Sequence, residues 1–248
     1  MNKRVLVAVL AVGCALLLAG CLGGDDLEDP PGNVTAEDVE SDAVAAMEQV
    51  NTAQIDLELT VEGNEGVLFE GESETVVDRE RRRMRMDATA DPILQDATTV
   101  TQYTVNETGY VQTEGSWRQE SVDPEFWESD PISAYGAMLE AGETELRGVT
   151  DFEGSEVYVL ETDVTGEALS GLVGQQLPES GPVSGDALED LTVEQYVDRE
   201  TGHVRYLELS VETSALGTDG RATITLTTTL SEFDEPVDIT VPPEATSD

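Results

Sequence analysis

Alternation of apolar and polar side chains, repeated along most of the chain, is the feature that most limits how this sequence can fold. Between residues 55 and 62, Ile, Leu, Leu and Val take every second position, with Asp, Glu, Thr and Glu between them. A period of two places the apolar set on one face of a β-strand and the polar set in water. The same pattern recurs at 67–77, 79–88, 97–105, 109–114, 144–150, 156–163, 190–198, 203–213, 221–231 and 237–241. Short turns join many of these segments, so the sequence predicts about ten strands, mostly antiparallel.

Helical spacing is confined to two or three segments. Thr35 is placed to cap a helix, Asp38 stands where a capping-box acid would, and apolar residues follow at helical intervals up to Val50. A second helix is predicted over 132–141. Residues 166–177 have helical spacing but contain three glycines, which leaves them ambiguous. The sequence therefore predicts an α+β fold, in which a large antiparallel sheet either covers one face with helices or curls.

The N-terminus has the layout of an export signal. Lys3 and Arg4 precede an apolar run that ends in Leu-Ala-Gly and Cys21. This run is shorter than the roughly 20 apolar residues that a membrane span needs. It resembles a lipobox, in which the cysteine becomes the first mature residue and carries a lipid; an ordinary signal peptide or an anchor helix is the alternative. We predict a signal peptide at 1–20, lipidation of Cys21, and a location at the outer face of the cell membrane.

The rest of the chain divides into a linker and one folded domain. Residues 21–34 are rich in Gly, Pro and acid, which predicts a tether that holds the domain off the membrane. Residues 35–248 are predicted to form a single domain. If Cys14 leaves with the signal and Cys21 is lipidated, no thiol remains for a disulfide or a metal site. The core alone must then hold the domain together.

The charge of the mature chain is extreme. The predicted signal removes Lys3 and Arg4 from 12 basic residues, which leaves ten arginines and no lysine against 53 acids, a formal charge of −43. Such a surface repels itself in dilute buffer, whereas in molar salt the Debye length falls to about 3 Å and screens the repulsion. Acid excess without lysine is typical of salt-saturated habitats and predicts a haloarchaeal source. It argues against a nucleic-acid partner, which needs a basic surface.

Half of the mature arginines stand between residues 79 and 85. If 79–88 is a strand, Arg79, Arg81, Arg83 and Arg85 share one face, and Arg82, Met84, Met86 and Ala88 share the other. One explanation is a cross-strand charge ladder with the glutamates at 70, 72 and 74. The alternative is a basic patch for anionic lipid headgroups, for which Arg82, on the methionine face, would matter most.

The last third of the chain carries a family resemblance. Val-Asp-Arg-Glu-Thr-Gly at 197–202 is followed by Leu-Glu-Leu at 207–209, and Ser-Glu-Phe-Asp-Glu-Pro-Val-Asp-Ile-Thr-Val-Pro-Pro occupies 231–243. These motifs resemble the hairpin and ending of LolA-like exported lipid-carrier lipoproteins, nearest to the mycobacterial LppX/LprG type and to a haloarchaeal lipoprotein family of this shape. The resemblance implies a half β-barrel, a curved antiparallel sheet of about ten strands that covers two or three helices and encloses an apolar cavity.

The resemblance also implies a function, because family members carry lipids, glycolipids or acylated proteins. The chain would then be a lipid-anchored carrier with an apolar ligand. An interaction or envelope-sensor module that binds a membrane protein, or a passive cell-surface component, is the alternative. The candidates for the cavity wall, each of which could equally be plain core, are Leu57, Leu59, Met84, Met86, Met138, Leu139, Leu172 and Leu209, with Arg82 as the headgroup candidate.

Motifs for catalysis are missing from the sequence. No nucleotide-binding loop, zinc spacing or nucleophile elbow occurs, and the single histidine, His203, is predicted to be a surface residue beside a turn. We therefore expect no enzyme activity, no cofactor, no metal and a monomer. Glycosylation sequons begin at Asn33 and Asn106, in segments predicted to be exposed.

Overall fold

The chain folds into one antiparallel sheet with helices packed on one of its faces. The computed structural model describes residues 27–64, 66–92, 97–127, 131–164, 191–213 and 222–246. The helices are α1 (Ala36–Gln49) and α2 (Pro131–Ala137), with short 3-10 turns at Pro124–Trp127, Leu139–Ala141 and Pro243–Thr246. The strands are β1 (Thr52–Gly63), β2 (Gly66–Asp78), β3 (Arg83–Pro92), β4 (Thr98–Val105), β5 (Thr108–Thr113), β6 (Ser116–Ser121), β7 (Gly142–Phe152), β8 (Ser155–Val164), β9 (Leu191–Asp198), β10 (Val204–Thr213) and β11 (Ala222–Ser231).

The strand order follows from a chain of hairpins. It is β6-β5-β4-β3-β2-β1-β11-β10-β9-β8-β7, and every neighbouring pair is antiparallel. The first and last strands, β1 and β11, meet in the middle, so the sheet consists of two meanders joined at its centre. The predicted α+β class with a large, curved, open antiparallel sheet is confirmed.

The helices cover the half of the sheet that contains β1 and β7–β11. α1 begins with the predicted capping box, in which Thr35 and Asp38 hydrogen-bond to each other's backbone N–H groups. α2 packs closely on α1, because a Cβ at Gly136 would lie only 3.1 Å from the Cβ of Met47. The buried amide of Gln195 on β9 donates a 3.1 Å hydrogen bond to the carbonyl oxygen of Tyr135, which ties α2 to the sheet.

The hydrophobic core lies between these helices and the inner face, defined as the sheet face that carries Ile55, Leu57 and Leu59. Alternate residues of β1, β9, β10 and β11 point into it, as the period-two pattern predicts. The largest side chains that are almost completely buried include Met47, Ile55, Tyr135, Ile132, Leu139, Leu160, Leu207 and Leu230. These contacts stabilise the helix-covered half without a disulfide.

The strand prediction differs from the structure in three places. The third strand begins at Arg83 rather than at 79, because residues 79–82 form the turn after β2. β6 was missed, since its sequence, Ser-Trp-Arg-Gln-Glu-Ser, is exposed almost throughout and alternates poorly. The segment 237–241, predicted as a strand, is irregular, although the carbonyl oxygen of Ile239 accepts a 3.0 Å hydrogen bond from Arg83.

The predicted charge ladder between β2 and β3 was also wrong. In the observed register Glu74 faces Asp87 and Glu72 faces Thr89, so the glutamates of β2 have no arginine opposite them. The arginines instead pair locally: Arg85 with Asp87 on the same strand, and Arg81 with Asp78 at 2.7 Å. The reason is the position of the turn, which moves every cross-strand partner from the predicted one.

Candidate functional site

The inner face changes character from one half of the sheet to the other. On β2, β3 and β4 the inner face carries a line of small or half-buried side chains. In the helix-covered half it carries fully buried Leu, Ile and Val instead. The small or half-buried residues are Gly71, Ser73, Met86, Ala88, Ala90 and Val100, and all six are partly exposed. We call this set the open trough. Its small side chains lower the floor of the sheet next to the taller side chains of β1.

The register shows that the open trough is continuous. One cross-strand row runs from Leu57 through Ser73 and Ala88 to Val100, as successive Cα partners on β1–β4. The adjacent row runs from Leu59 through Gly71 and Ala90 in the same direction. With neighbouring strands about 4.8 Å apart, the trough is about 14 Å wide between β1 and β4.

Larger residues bound the two ends of the trough. At one end the ring of Phe69 lies over Gly71, where an added Cβ would come within 3.0 Å of the ring. At the other end Met84 is buried beside Val77, and Met86 is half-buried beside Thr75. Methionine is flexible and polarizable, so this end can adapt to different apolar shapes. The two ends of the trough are therefore apolar, whereas its floor includes the hydroxyl of Ser73, and Gln102 lies opposite Met86.

The predicted cavity residues fall into two groups. Leu57 and Leu59 border the open trough on β1, and Met84 and Met86 lie at its end. Of these four, Leu57, Leu59 and Met84 are themselves buried in the hydrophobic core. The remaining described apolar candidates belong to the helix-covered core. Met138 and Leu139 are buried at the end of α2, and Leu209 is buried on the inner face of β10, opposite Leu226 and Val193.

Arg82 lies away from the methionine face on which the sequence placed it. It occupies the turn between β2 and β3 with a left-handed backbone (φ 49°), and its side chain is exposed. Leu172 and Cys21 lie outside the described residues. The floor residues Gly71, Ser73, Ala88 and Ala90 were not among the candidates. Their signal was present, since Gly or Ala at alternate positions of adjacent strands marks a close approach.

A second concavity lies between α1 and the β9–β10 turn, and its chemistry is different. This groove has a volume of about 730 Å³, and acids including Asp38, Asp42 and Glu200 contribute to its lining. Its guanidinium, Arg199, is already paired with Glu156 at 3.0 Å and stacks on the ring of Tyr158. A polar, acid-lined groove of this kind is unsuited to an alkyl chain.

The outer face of the sheet is strongly acidic. Six glutamates form one cross-strand row, interrupted by Thr227: Glu72, Glu58, Glu208, Glu194, Glu161 and Glu145. Like charges directly opposite each other destabilise a sheet. Burial, followed by the charges of Glu208 and Glu161, raises the pKa of Glu194 although Tyr196 donates a hydrogen bond to it. The outer face therefore repels anions, in contrast to the inner face.

Aromatic rings flank this glutamate row. Tyr196 and Tyr206 lie 5.0 Å apart between ring centroids, and Phe152 contacts both. Tyr206 donates a 2.6 Å hydrogen bond to Glu208. Burial and the neighbouring carboxylates raise the pKa of each tyrosine, so both hydroxyls stay protonated. The three rings therefore pack against one another on the outer face.

Neither a cluster of metal ligands nor a membrane-spanning helix is found in the part of the chain that the structure describes. Within those ranges, no three His, Cys, Asp or Glu side chains gather closely enough to hold a metal ion. None of the described helices combines the length and the apolar character that a bilayer span requires.

Comparison with known proteins identifies the fold. No protein-family model and no curated protein sequence matches the chain. LprF from Mycobacterium bovis matches in structure at 11% identity, with 84% of this chain and 96% of that chain covered and a TM-score of 0.53. LppX, a lipoprotein of Mycobacterium tuberculosis, matches at 8% identity, with 83% and 98% covered and a TM-score of 0.53. The chain therefore shares the fold of LprF and LppX, the mycobacterial lipoprotein type that the sequence resemblance predicted.

Proposed function

We propose that the protein is an extracytoplasmic lipoprotein, anchored through a lipid on Cys21, that carries an apolar ligand. The ligand is a lipid or an acylated molecule, and its alkyl chain occupies the open trough. The observation that carries this proposal is the line of small, partly exposed side chains on the inner face, next to the closely packed half of the sheet that the helices cover. The shared fold with LppX supports it.

The energetics favour an alkyl chain over a polar ligand. Each methylene that leaves water for the trough contributes about 0.8 kcal/mol. Apart from the hydroxyl of Ser73, the trough floor offers Gly, Ala and Val, whose contacts with an alkyl chain replace water without requiring a hydrogen bond. The acidic outer face repels anionic groups, so the inner face is the side of the sheet that is suited to a lipid.

Contacts near the N-terminus support an anchor close to the domain. Glu28, inside the predicted tether, pairs with Val149 on β7 through two backbone hydrogen bonds of 2.9 Å. Only five residues lie between Cys21 and Leu27. Fully extended, the six Cα-to-Cα steps from Cys21 to Leu27 span about 20 Å. An anchored domain would therefore lie near the membrane surface, within reach of lipids that leave the bilayer.

The test is the amount of lipid that the full chain retains. The protein is extracted from membranes of a haloarchaeal host, purified in molar salt, and extracted with organic solvent for mass spectrometry. We expect about one alkyl lipid per protein in addition to the lipid on Cys21. Ala88→Phe fills the trough floor, and we expect it to lower the retained lipid about tenfold, the equivalent of two lost methylene contacts.

The matched control lies one residue along the same strand. Thr89→Phe adds the same ring to the outer face of β3, and we expect it to retain as much lipid as the unchanged protein. Equal loss in both variants would point to general destabilisation instead of a filled site. A lipid-free unchanged protein would contradict the carrier proposal and favour the interaction module.

A further inference from the structure

We propose that Asn106 is an N-glycosylation site and that the second sequon, at Asn33, is not used. The inference rests on the proposed extracytoplasmic location, because sequons are modified on exported chains. The two sequons have the same Asn-X-Thr pattern, so the sequence cannot separate them. The structure gives their threonines different environments.

Asn106 stands at the tip of the β4–β5 hairpin. It is exposed and adopts a left-handed backbone (φ 54°), a conformation that Asn tolerates well. Its N–H donates to the carbonyl oxygen of Arg82 at 2.9 Å, and its own carbonyl oxygen accepts from the indole of Trp127 at 2.7 Å. Both contacts hold the backbone, and neither uses the side-chain amide.

The third residue of this sequon is available as well. Thr108 is the first residue of β5 and is half-buried, and its backbone is held by the strand ladder. Among the described residues, its hydroxyl has no hydrogen-bond partner. An enzyme that reads the hydroxyl of the sequon can therefore bind it without breaking a native contact.

Thr35, the third residue of the other sequon, is engaged. Its hydroxyl donates a 2.7 Å hydrogen bond to the carboxylate of Asp38 and accepts a 3.2 Å bond from the N–H of the same residue. These bonds form the N-terminal cap of α1. A glycosylating enzyme could bind the hydroxyl of Thr35 only after the first turn of the helix had opened. We therefore expect Asn33 to remain unmodified.

The modification is a group transfer from a lipid-linked sugar phosphate, supplied by the membrane that exports the chain. The amide nitrogen of Asn106 forms a bond to the anomeric carbon of the sugar, and the bond from that carbon to the phosphate oxygen breaks. The lipid phosphate leaves, and the amide gives up one proton. The side chain keeps one N–H and carries a glycan.

The experiment maps glycans on the full chain purified from membranes of a haloarchaeal host. Glutamate-specific digestion and mass spectrometry are used, because the mature chain lacks lysine. We expect a glycan mass on the peptide that contains Asn106 and none on the peptide that contains Asn33. Asn106→Gln should remove it, and Asn33→Gln should leave it unchanged.

A control site can be built at a similar turn. Glu153→Asn completes a sequon with Gly154 and Ser155 at the β7–β8 turn, where residue 153 has φ 52°, close to that of Asn106. If this variant is modified at 153 but never at 106, the inference is overturned while the external location stands. If none of the three positions is modified, the external location fails and the inference fails with it.

A further variant tests why Asn33 is spared. Asp38→Ala removes the carboxylate that accepts from Thr35 and leaves only the longer bond from the N–H of residue 38, so we expect a glycan to become detectable on Asn33. Modification of Asn33 in the unchanged protein, at the same level as Asn106, would overturn the distinction between the two sequons.

Discussion

Arg79, in the turn after β2, donates a 2.7 Å hydrogen bond to the carbonyl oxygen of Glu48 in the last turn of α1. The same guanidinium donates to the carbonyl oxygen of Met47 at 3.3 Å and to Oγ of Ser133 at 2.7 Å. Helix ends leave carbonyl groups unpaired, and a cation there also interacts favourably with the helix dipole. One side chain thus joins the sheet to both helices.

Replacement of Arg79 by Met should therefore destabilise the domain. The aliphatic stem is kept, while the capping hydrogen bonds and the link to α2 are lost. We expect the free energy of unfolding to fall by about 2 kcal/mol, measured by urea denaturation in molar salt. Arg82→Met is the control, because Arg82 is exposed in the same turn, and it should change stability by less than about 0.5 kcal/mol. Equal effects would contradict the capping role.

The glutamate row predicts a stabilising substitution. Because the pKa of Glu194 is raised in the folded protein, the fold binds more protons than the unfolded chain just above the ordinary glutamate pKa. Stability must then decrease as the pH rises through that window. Glu194→Gln removes this loss, so we expect it to be more stable than the unchanged protein at about pH 7 and equally stable at about pH 4.

Thermal unfolding at low and molar salt measures this effect. The gain should be about 0.5 kcal/mol at low salt and smaller in molar salt, because the side chain is half-exposed and its repulsion is screened. Glu114→Gln, at an exposed turn, is the control and should leave stability unchanged. A variant less stable than the unchanged protein at about pH 7 would refute the repulsion.

The environment of His203 predicts that stability rises with pH, the opposite of the effect expected for Glu194. It is half-buried against the ring of Phe233, with 4.4 Å between ring centroids, and burial lowers its pKa despite nearby carboxylates. The folded state then binds fewer protons than the unfolded chain, so stability falls as the pH drops below the ordinary histidine pKa of 6.5.

The variant His203→Phe keeps the ring contact and cannot titrate. We expect its melting temperature to fall less than that of the unchanged protein between about pH 7 and about pH 5. Parallel curves for the two proteins would show that His203 does not contribute. The carboxylates titrate in both proteins, so their contribution to the change in melting temperature cancels in the comparison.

The close contact at Gly148 predicts that a larger side chain there would release residues 27–29 from β7. A Cβ at this position would lie 2.9 Å from the carbonyl oxygen of Glu28 and 2.9 Å from the Cβ of Leu27. Gly148→Val should displace residues 27–29 from β7, so the backbone N–H of Val149 should exchange with solvent at least about tenfold faster. Thr150→Val on the same strand is the control, and its pattern of exchange should match that of the unchanged protein.

Much of the fold could be predicted because it depends on local chemistry. The capping box, the helices and the hairpins follow from residues close in sequence. Asp198 explains the Val-Asp-Arg-Glu-Thr-Gly motif: one carboxylate oxygen accepts 2.9 Å hydrogen bonds from the N–H groups of Glu200 and Thr201, which fixes the β9–β10 turn. A motif of this kind carries the fold, and its residues are structural.

The candidate site was harder to predict, because it depends on which strands are neighbours. Leu57 and Leu59 were recognised from β1 alone, but the trough arises only when Gly71 and Ser73 pair with Ala90 and Ala88. A four-residue error in the start of β3 was enough to misplace Arg82. Nor does a sequence show that His203 meets a ring thirty residues further along. The alignment of neighbouring strands is decided by their packing, and the alternation of apolar residues within one strand does not predict it.

The pairing of Glu28 with Val149 also has a mechanical consequence. An anchored protein experiences drag on its domain, and the resulting tension enters the chain just before Leu27. It reaches the two hydrogen bonds of this short strand before it reaches α1. These bonds would break first. The tether would then be several residues longer, while the folded domain stays intact.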